Sequence, residues 1–425
     1  MAVTQKGVWD VQEVRDKQIQ DEWGYSAPGD PGGIWVWGSD GSGQTGQDNY
    51  DGPNLSSPTQ IGTETTWDNI QAGNGMMGVK SNGTMWVWGN GSQGNLGLNE
   101  SGNTDYRSSP TQLGTNTNWQ ATGGIGQFAI GSKTNGSLWA WGSNHQGFLG
   151  QNEGGHNQDY RSSPVEVPGF GGTWSTNKGG FIQGRQQGGG WVLATQTDGT
   201  LWYWGDNGDF SGGQGGTSQG SFSQPIQIGT DTTWRTTDGS LGTSGKTSCF
   251  AIKVDGTLWS WGTGDEGVLA HANNTRYSSP KQVGTDTTWE YLSKGCGDAD
   301  NQNNMFAIKT DGTLWAWGEN LKGSLGINKK YSNEPNRNSP SQVGTDTTWD
   351  RVSHGKNWAL ATKTDNTLWA WGWKWYGVLG QNASTPYGGL PYVVEANSSP
   401  VQIPGTKWKY PASGNMSALA IRFAD

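Results

Sequence analysis

Small or polar residues alternate with apolar ones through Thr310-Asp311-Gly312-Thr313-Leu314-Trp315-Ala316-Trp317-Gly318 and its counterpart from Val254. A period of two belongs to a β-strand rather than a helix. It places both indole rings of a Trp-x-Trp pair on one strand face. The pair recurs seven times, at Trp35/Trp37, Trp86/Trp88, Trp139/Trp141, Trp202/Trp204, Trp259/Trp261, Trp315/Trp317 and Trp369/Trp371. Most pairs follow Asn-Gly or Asp-Gly, as at Asn82-Gly83, Asp255-Gly256 and Asp311-Gly312, whereas Asp365-Asn366 replaces the glycine. Such dipeptides predict type I′ turns, in which both central residues take positive φ. Apolar segments such as Met77-Gly78-Val79-Lys80 and Phe306-Ala307-Ile308-Lys309 precede them. Each repeat therefore predicts a hairpin.

Downstream of each pair come a loop, a Ser-Pro step (Gln224-Pro225 in one copy) and a short strand such as Gln282-Val283. A polar turn of the Gly-Thr-Asp-Thr-Thr kind follows, then a lone Trp: Trp67, Trp119, Trp174, Trp234, Trp289, Trp349 or Trp408. Proline is tolerated at a strand start, where no ladder hydrogen bond is lost. Four short strands per repeat of roughly 50–60 residues describe one blade of a β-propeller. The first repeat lacks its leading strand, and the chain finishes with that strand, Ser417-Ala418-Leu419-Ala420-Ile421-Arg422. Pairing of this strand with Ile34 to Gly38 closes a ring. The expectation is an all-β, seven-bladed propeller over residues 34–425, preceded by a partly helical arm over 1–33.

Composition narrows the function. The repeat places most of the 27 Trp between blades, which compensates for a hydrophobic fraction of only 31%. Glycine, 72 of 425 residues, falls at fixed turn positions. A net charge of −9 without a Lys/Arg cluster argues against nucleic acid. No apolar run approaches the roughly 20 residues of a membrane span, and Met1 to Glu22 does not read as a signal peptide. Cys249 and Cys296 read as unpaired, buried side chains. The four His, at 145, 156, 271 and 354, are scattered along the chain and lack metal-ligand spacing. No nucleophile elbow or phosphate loop is present. The reading is of a non-enzyme without metal or cofactor.

The order Leu-Trp-x-Trp-Gly, Gly-x-Leu-Gly, Ser-Pro and an Ala-rich strand resembles the repeat of the regulator of chromosome condensation (RCC1-like) family. The loop signature stands at Gly94-Asn95-Leu96-Gly97, Gly147-Phe148-Leu149-Gly150, Gly323-Ser324-Leu325-Gly326 and Gly377-Val378-Leu379-Gly380. Gly43-Gln44-Thr45-Gly46 and Gly267-Val268-Leu269-Ala270 are near copies, and the fourth repeat departs with a longer loop from Asp206 to Ser223. The resemblance implies a seven-bladed propeller. It also implies a range of roles, from nucleotide exchange on a small GTPase to enzyme inhibition and adaptor binding. The His that the family carries ahead of the hairpin is missing from stretches such as Gly355-Lys356-Asn357-Trp358. No exchange-catalysing residue maps onto this chain.

Two features exceed the repeat. In the arm, Asp10 can cap a helix with Glu13 reaching back. Val11, Val14 and Gln18 share one side and Ile19 and Trp23 lie a turn apart, and Val8, Trp9, Val11, Val14, Ile19 and Trp23 are the candidate docking residues. This segment resembles the leaders of bacteriophage tail and fibre proteins. It implies a structural virion protein, assembled in the host cytoplasm, whose arm docks on other virion proteins while the propeller faces a host glycan or receptor. The alternative is a soluble RCC1-like adaptor or inhibitor that binds a partner protein. The second feature is Trp373, Lys374, Trp375 and Tyr376 with nearby Tyr387 and Tyr392, a candidate binding surface expected to be exposed.

Overall fold

A computed structural model describes residues 31–423, except 101–105, 154–159, 179, 185–189, 217–219, 245–246, 296–302, 329–335 and 383–395. The arm residues 1–30, Cys296, Tyr387 and Tyr392 therefore lie outside the described residues. Within them the strands form seven sheets arranged as a ring, each a blade, all antiparallel except that Lys294–Gly295 adds a parallel fifth strand to the sheet of Trp349–Gly355. Blades are numbered here by Trp pair, from blade 1 (Trp35/Trp37) to blade 7 (Trp369/Trp371). Blade 2 shows the pattern: Trp67–Ala72 innermost, then Gly75–Lys80, Met85–Asn90 and the Ser-Pro strand Tyr106–Gln112 outermost. A blade thus begins at the lone Trp, so the sequence repeat, which starts at the Trp pair, straddles two blades.

Closure follows the expected route. Gly33–Gly38 lies between Leu55–Gln60 and Ser417–Arg422, with Ile34 opposite Ile421 and Val36 opposite Leu419. Blade 1 therefore takes strands from both ends of the described chain.

The hairpin turn differs from expectation. In blade 6 the Gly312 N–H donates to the Lys309 carbonyl at 2.8 Å, and only Gly312, at φ +74°, is left-handed. This is a type I turn followed by a left-handed bulge residue, not type I′. Asp311 stays at negative φ because its Oδ1 accepts from the Thr313 N–H (3.0 Å) and hydroxyl (2.6 Å). Asn366 fills the glycine position at φ +60°, which Asn tolerates best among side-chain-bearing residues.

The second Trp of every pair is fully buried between blades. Its Nε1 donates to a loop carbonyl of the preceding blade: Trp88 to Gln44, Trp141 to Asn95, Trp204 to Phe148, Trp261 to Ser211, Trp317 to Val268 and Trp371 to Ser324, with Trp37 to Val378 across the seam. These bonds are 2.6–3.0 Å long. They explain the Gly-x-Leu-Gly motif. Its Leu joins the core between blades, and its last Gly lets the next blade's indole approach closely. A Cβ on Gly97 would sit 2.8 Å from Trp141 Nε1.

Candidate binding surface

The two faces of the ring are built differently. One carries the hairpin turns and the polar turns that lead into each lone Trp, near-identical except in blades 1 and 4. The other carries the connections between the Trp strand and the Ser-Pro strand, which span 39–54, 91–105, 144–159, 207–220, 263–276, 319–336 and 374–395. These vary most; the blade 7 connection is the longest, whereas that of blade 4, expected to be long, is among the shortest. In many of them a tight turn places a left-handed residue just before the motif glycine: Gln93, Gln146, Glu266, Lys322 and, in blade 7, Tyr376 at φ +53°.

Trp373, Lys374, Trp375 and Tyr376 lie together on this loop face beside the ring seam. They are half-buried rather than exposed, because the rings of Trp373 and Trp375 lie against each other and Tyr376 meets Trp375 edge-on at 6.4 Å. With Lys356, Trp358, Val378, Asn415 and Met416 they border a cleft of only about 10 Å³. One water needs about that much space, so no sugar ring fits without movement. A larger polar hollow of about 130 Å³, lined by Asp209, Thr247, Ser248, Thr263, Asp265, Arg276 and Asn303, opens elsewhere. The arm residues Val8, Trp9, Val11, Val14, Ile19 and Trp23 fall outside the described residues.

One assembly was not legible in the sequence. At the hairpin-face end of the central channel, charged groups from five blades meet the Tyr410 ring of a sixth. Arg351 pairs with Asp238, and Lys294 lies 3.4 Å from the same carboxylate. Lys178 reaches Asp68 at 2.9 Å and the Tyr410 hydroxyl at 3.4 Å, and its own carbonyl accepts from Lys294. Arg351 also stacks over the Tyr410 ring at 4.2 Å. Burial pushes the Asp238 carboxyl up, but Arg351 and Lys294 outweigh it and hold it well below the carboxylate range. Burial, together with Arg351 and Lys178, lowers the Lys294 ammonium despite Asp238. The signal available in sequence was departure from the repeat. Ser175 to Gly180 and Arg235 to Ser240 interrupt the inner strands of blades 4 and 5 and carry Lys178 and Asp238 to the axis.

Other buried or half-buried titratable groups among the described residues lie outside this cluster. Burial lowers His354 to about 3 and leaves both its ring nitrogens without a hydrogen-bond partner. His271 is lowered to about 4 by burial and by Lys281, and its Nε2 lies 3.0 Å from the Ser260 hydroxyl. Burial also raises the Cys249 thiol. Among the described residues no three potential ligands cluster for a metal ion.

No protein-family model matches this chain. It is 32% identical over 147 residues to the protein RCC2 homolog of Xenopus laevis, an alignment that covers 33% of this chain and 27% of that protein. The chain thus spans about a quarter of the curated relative's length. Human WBSCR16 shares 16% identity with a TM-score of 0.72, over 92% of this chain and 100% of that one. Prp20p from Saccharomyces cerevisiae, a structure described with its binding properties to Gsp1p and histones, shares 14% identity, with a TM-score of 0.72 over 93% of each chain. Sequence and shape agree on a seven-bladed, RCC1-like propeller.

Proposed function

We propose that this RCC1-like propeller is a protein-binding adaptor or inhibitor, and that its loop face around the ring seam receives the partner. The supporting observation is where variation falls. The ring and, outside blades 1 and 4, the turns leading into each lone Trp repeat, while the loop face diverges and gathers Trp373, Trp375 and Tyr376. A rigid scaffold with variable loops is how binding surfaces are commonly made, and half-buried aromatics are strong anchors for a protein surface. The shallow cleft beside them favours a protein over a small molecule. Similarity to Prp20p, with its Gsp1p and histone binding, agrees with this reading.

A photo-crosslinking residue at position 376 should give discrete adducts in extract from the source cells. A Trp373→Ala/Trp375→Ala variant of the same protein should lose them. Adducts of equal yield from the variant, or only a smear from both, would remove the loop face from consideration.

The arm supports a second reading, a structural virion protein docked on its particle through residues 1–33. Deleting residues 1–30, which leaves the closing strand Gly33–Gly38 intact, separates the two. The adaptor keeps its adducts, whereas a virion protein disappears from purified particles as measured by mass spectrometry.

A further inference from the structure

Among the described residues, six blades carry an intramolecular cation over a Trp pair, and blade 4 shows the same aromatic frame with no described cation on it. In blade 2, Lys80 Nζ lies 3.7 Å from the Trp86 ring centroid and 4.8 Å from that of Trp67. Lys133 stands over Trp139 and Trp119 at 3.8 and 4.7 Å, and Lys253 over Trp259 and Trp234 at 4.0 and 4.9 Å. Lys309 and Lys363 repeat this over Trp315/Trp289 and Trp369/Trp349. In blade 1 a guanidinium takes the place, with Arg422 5.4 Å from Trp35 and 5.7 Å from Trp408. Four of these lysines are also capped by a carboxylate from the turn before the lone Trp: Glu64, Asp231, Asp286 and Asp346. The frame is therefore an ammonium receptor, used internally.

Blade 4 keeps the frame. Trp174 and Trp202 pack edge-to-face at 6.0 Å, and Trp202 Nε1 donates to Thr200 as its counterparts do. The residue in the lysine position is Gln196, buried and uncharged, whose amide donates to the Gly169 carbonyl at 2.8 Å. The turn before the lone Trp reads Pro168-Gly169-Phe170-Gly171-Gly172-Thr173 and contributes no carboxylate. Phe170 instead lies parallel to the Trp202 ring, with centroids 6.0 Å apart and planes 18° from parallel. Phe170 is 48% exposed and held at φ +47°. A bulky residue there is strained, and such strain concentrates at binding sites.

We propose that Trp202 and Phe170, backed by the buried Trp174, form an aromatic receptor for the alkylammonium group of a partner protein's lysine, unmodified or methylated, with Phe170 as its movable outer wall. The ring quadrupoles attract the cation as they do the built-in lysines. A trimethylated head has no N–H to satisfy, which suits a site without a carboxylate. This contact lies on the hairpin face, so it goes beyond the loop-face reading and stands independently of it.

The test uses the full chain and three short peptides that differ at one position: lysine, trimethyllysine or norleucine. Ligand-observed saturation-transfer NMR follows the side-chain ε protons and N-methyl protons. Transfer is expected with one or both cationic peptides and not with norleucine, and the stronger of the two identifies the natural form. Gln196→Lys, which restores the residue of the other blades, should fold normally and weaken binding roughly tenfold or more. Phe170→Gly, which removes one wall, should weaken it less. Equal transfer from norleucine, full binding by Gln196→Lys, or no transfer from either cationic peptide would overturn the proposal. Loss of this signal alone leaves the loop-face adducts unaffected, so the two readings fail separately.

Discussion

A single indole does two things in this protein: it fills the gap between blades and donates one hydrogen bond across it. The glycine facing it is needed for both space and conformation, since Gly97 adopts φ +71°. Gly97→Ala brings a Cβ against Trp141 and forces a left-handed alanine. The expected loss is about 1–2 kcal/mol in chemical denaturation. Blade 5 provides an internal control, because Ala270 occupies that place at φ +63°. Ala270→Gly should gain a smaller amount, reduced by the extra freedom of glycine in the unfolded chain. If Gly97→Ala proves neutral, the close approach is not what requires glycine.

The lysine caps predict an acid response. Burial pushes the Asp231 and Asp286 carboxyls up, but hydrogen bonds from Lys253 and Lys309 and from Thr233 and Thr288 bring them down to about 2. Their folded values lie below the ordinary 3.8. The stability they contribute is therefore present above that pH and lost as pH falls through the folded value. Both side chains are about a third exposed, so each effect is modest. Denaturation midpoints should fall between pH ~4 and ~2, and less steeply in an Asp231→Asn/Asp286→Asn variant. An identical slope in the variant would assign the acid sensitivity to other groups.

Elements here are short strands that cannot bury their faces alone, so closing the ring decides whether the array holds. Ser417–Arg422 pairs along the whole of Gly33–Gly38 and covers Ile34 and Val36. Removing residues 416–425 exposes that edge and one wall of the Trp37 pocket. The expectation is loss of a single cooperative transition and of near-ultraviolet tryptophan dichroism. A permuted chain carrying residues 416–423 ahead of Gly33 should restore both. A truncated chain that unfolds as sharply as the intact one would show that closure is dispensable.

Across the whole molecule, the axial charge cluster ties together blades that, apart from the Lys294–Gly295 pairing with blade 7, share no strand there. Asp238→Asn leaves Arg351 and Lys294 without their common anion. It should cost about 1–3 kcal/mol, less than a fully buried pair because the adjoining cleft of about 30 Å³ admits water. An Asp238→Asn/Arg351→Met variant should recover part of that loss. Equal stability in single and double variants would mean the ion pair is not what holds the blades at the axis.

Strand period, turn residues and the spacing of Trp pairs were enough to specify seven blades, the seam and which indoles are interior. These depend on local periodicity and on a repeat that must satisfy itself seven times. The turn type was misread because Asp-Gly serves both type I′ turns and type I turns with a bulge, and only the backbone distinguishes them. Half-burial of Trp373 and Trp375 came from each ring covering the other, which spacing along one strand does not reveal. The axial cluster and the blade 4 aromatic site have a more basic cause. Each is defined by what a residue faces across the ring or in its own blade, at separations of tens to hundreds of positions. Linear sequence records that Gln196 stands where other blades have lysine; folding alone brings Phe170 onto the ring that the lysine would cover.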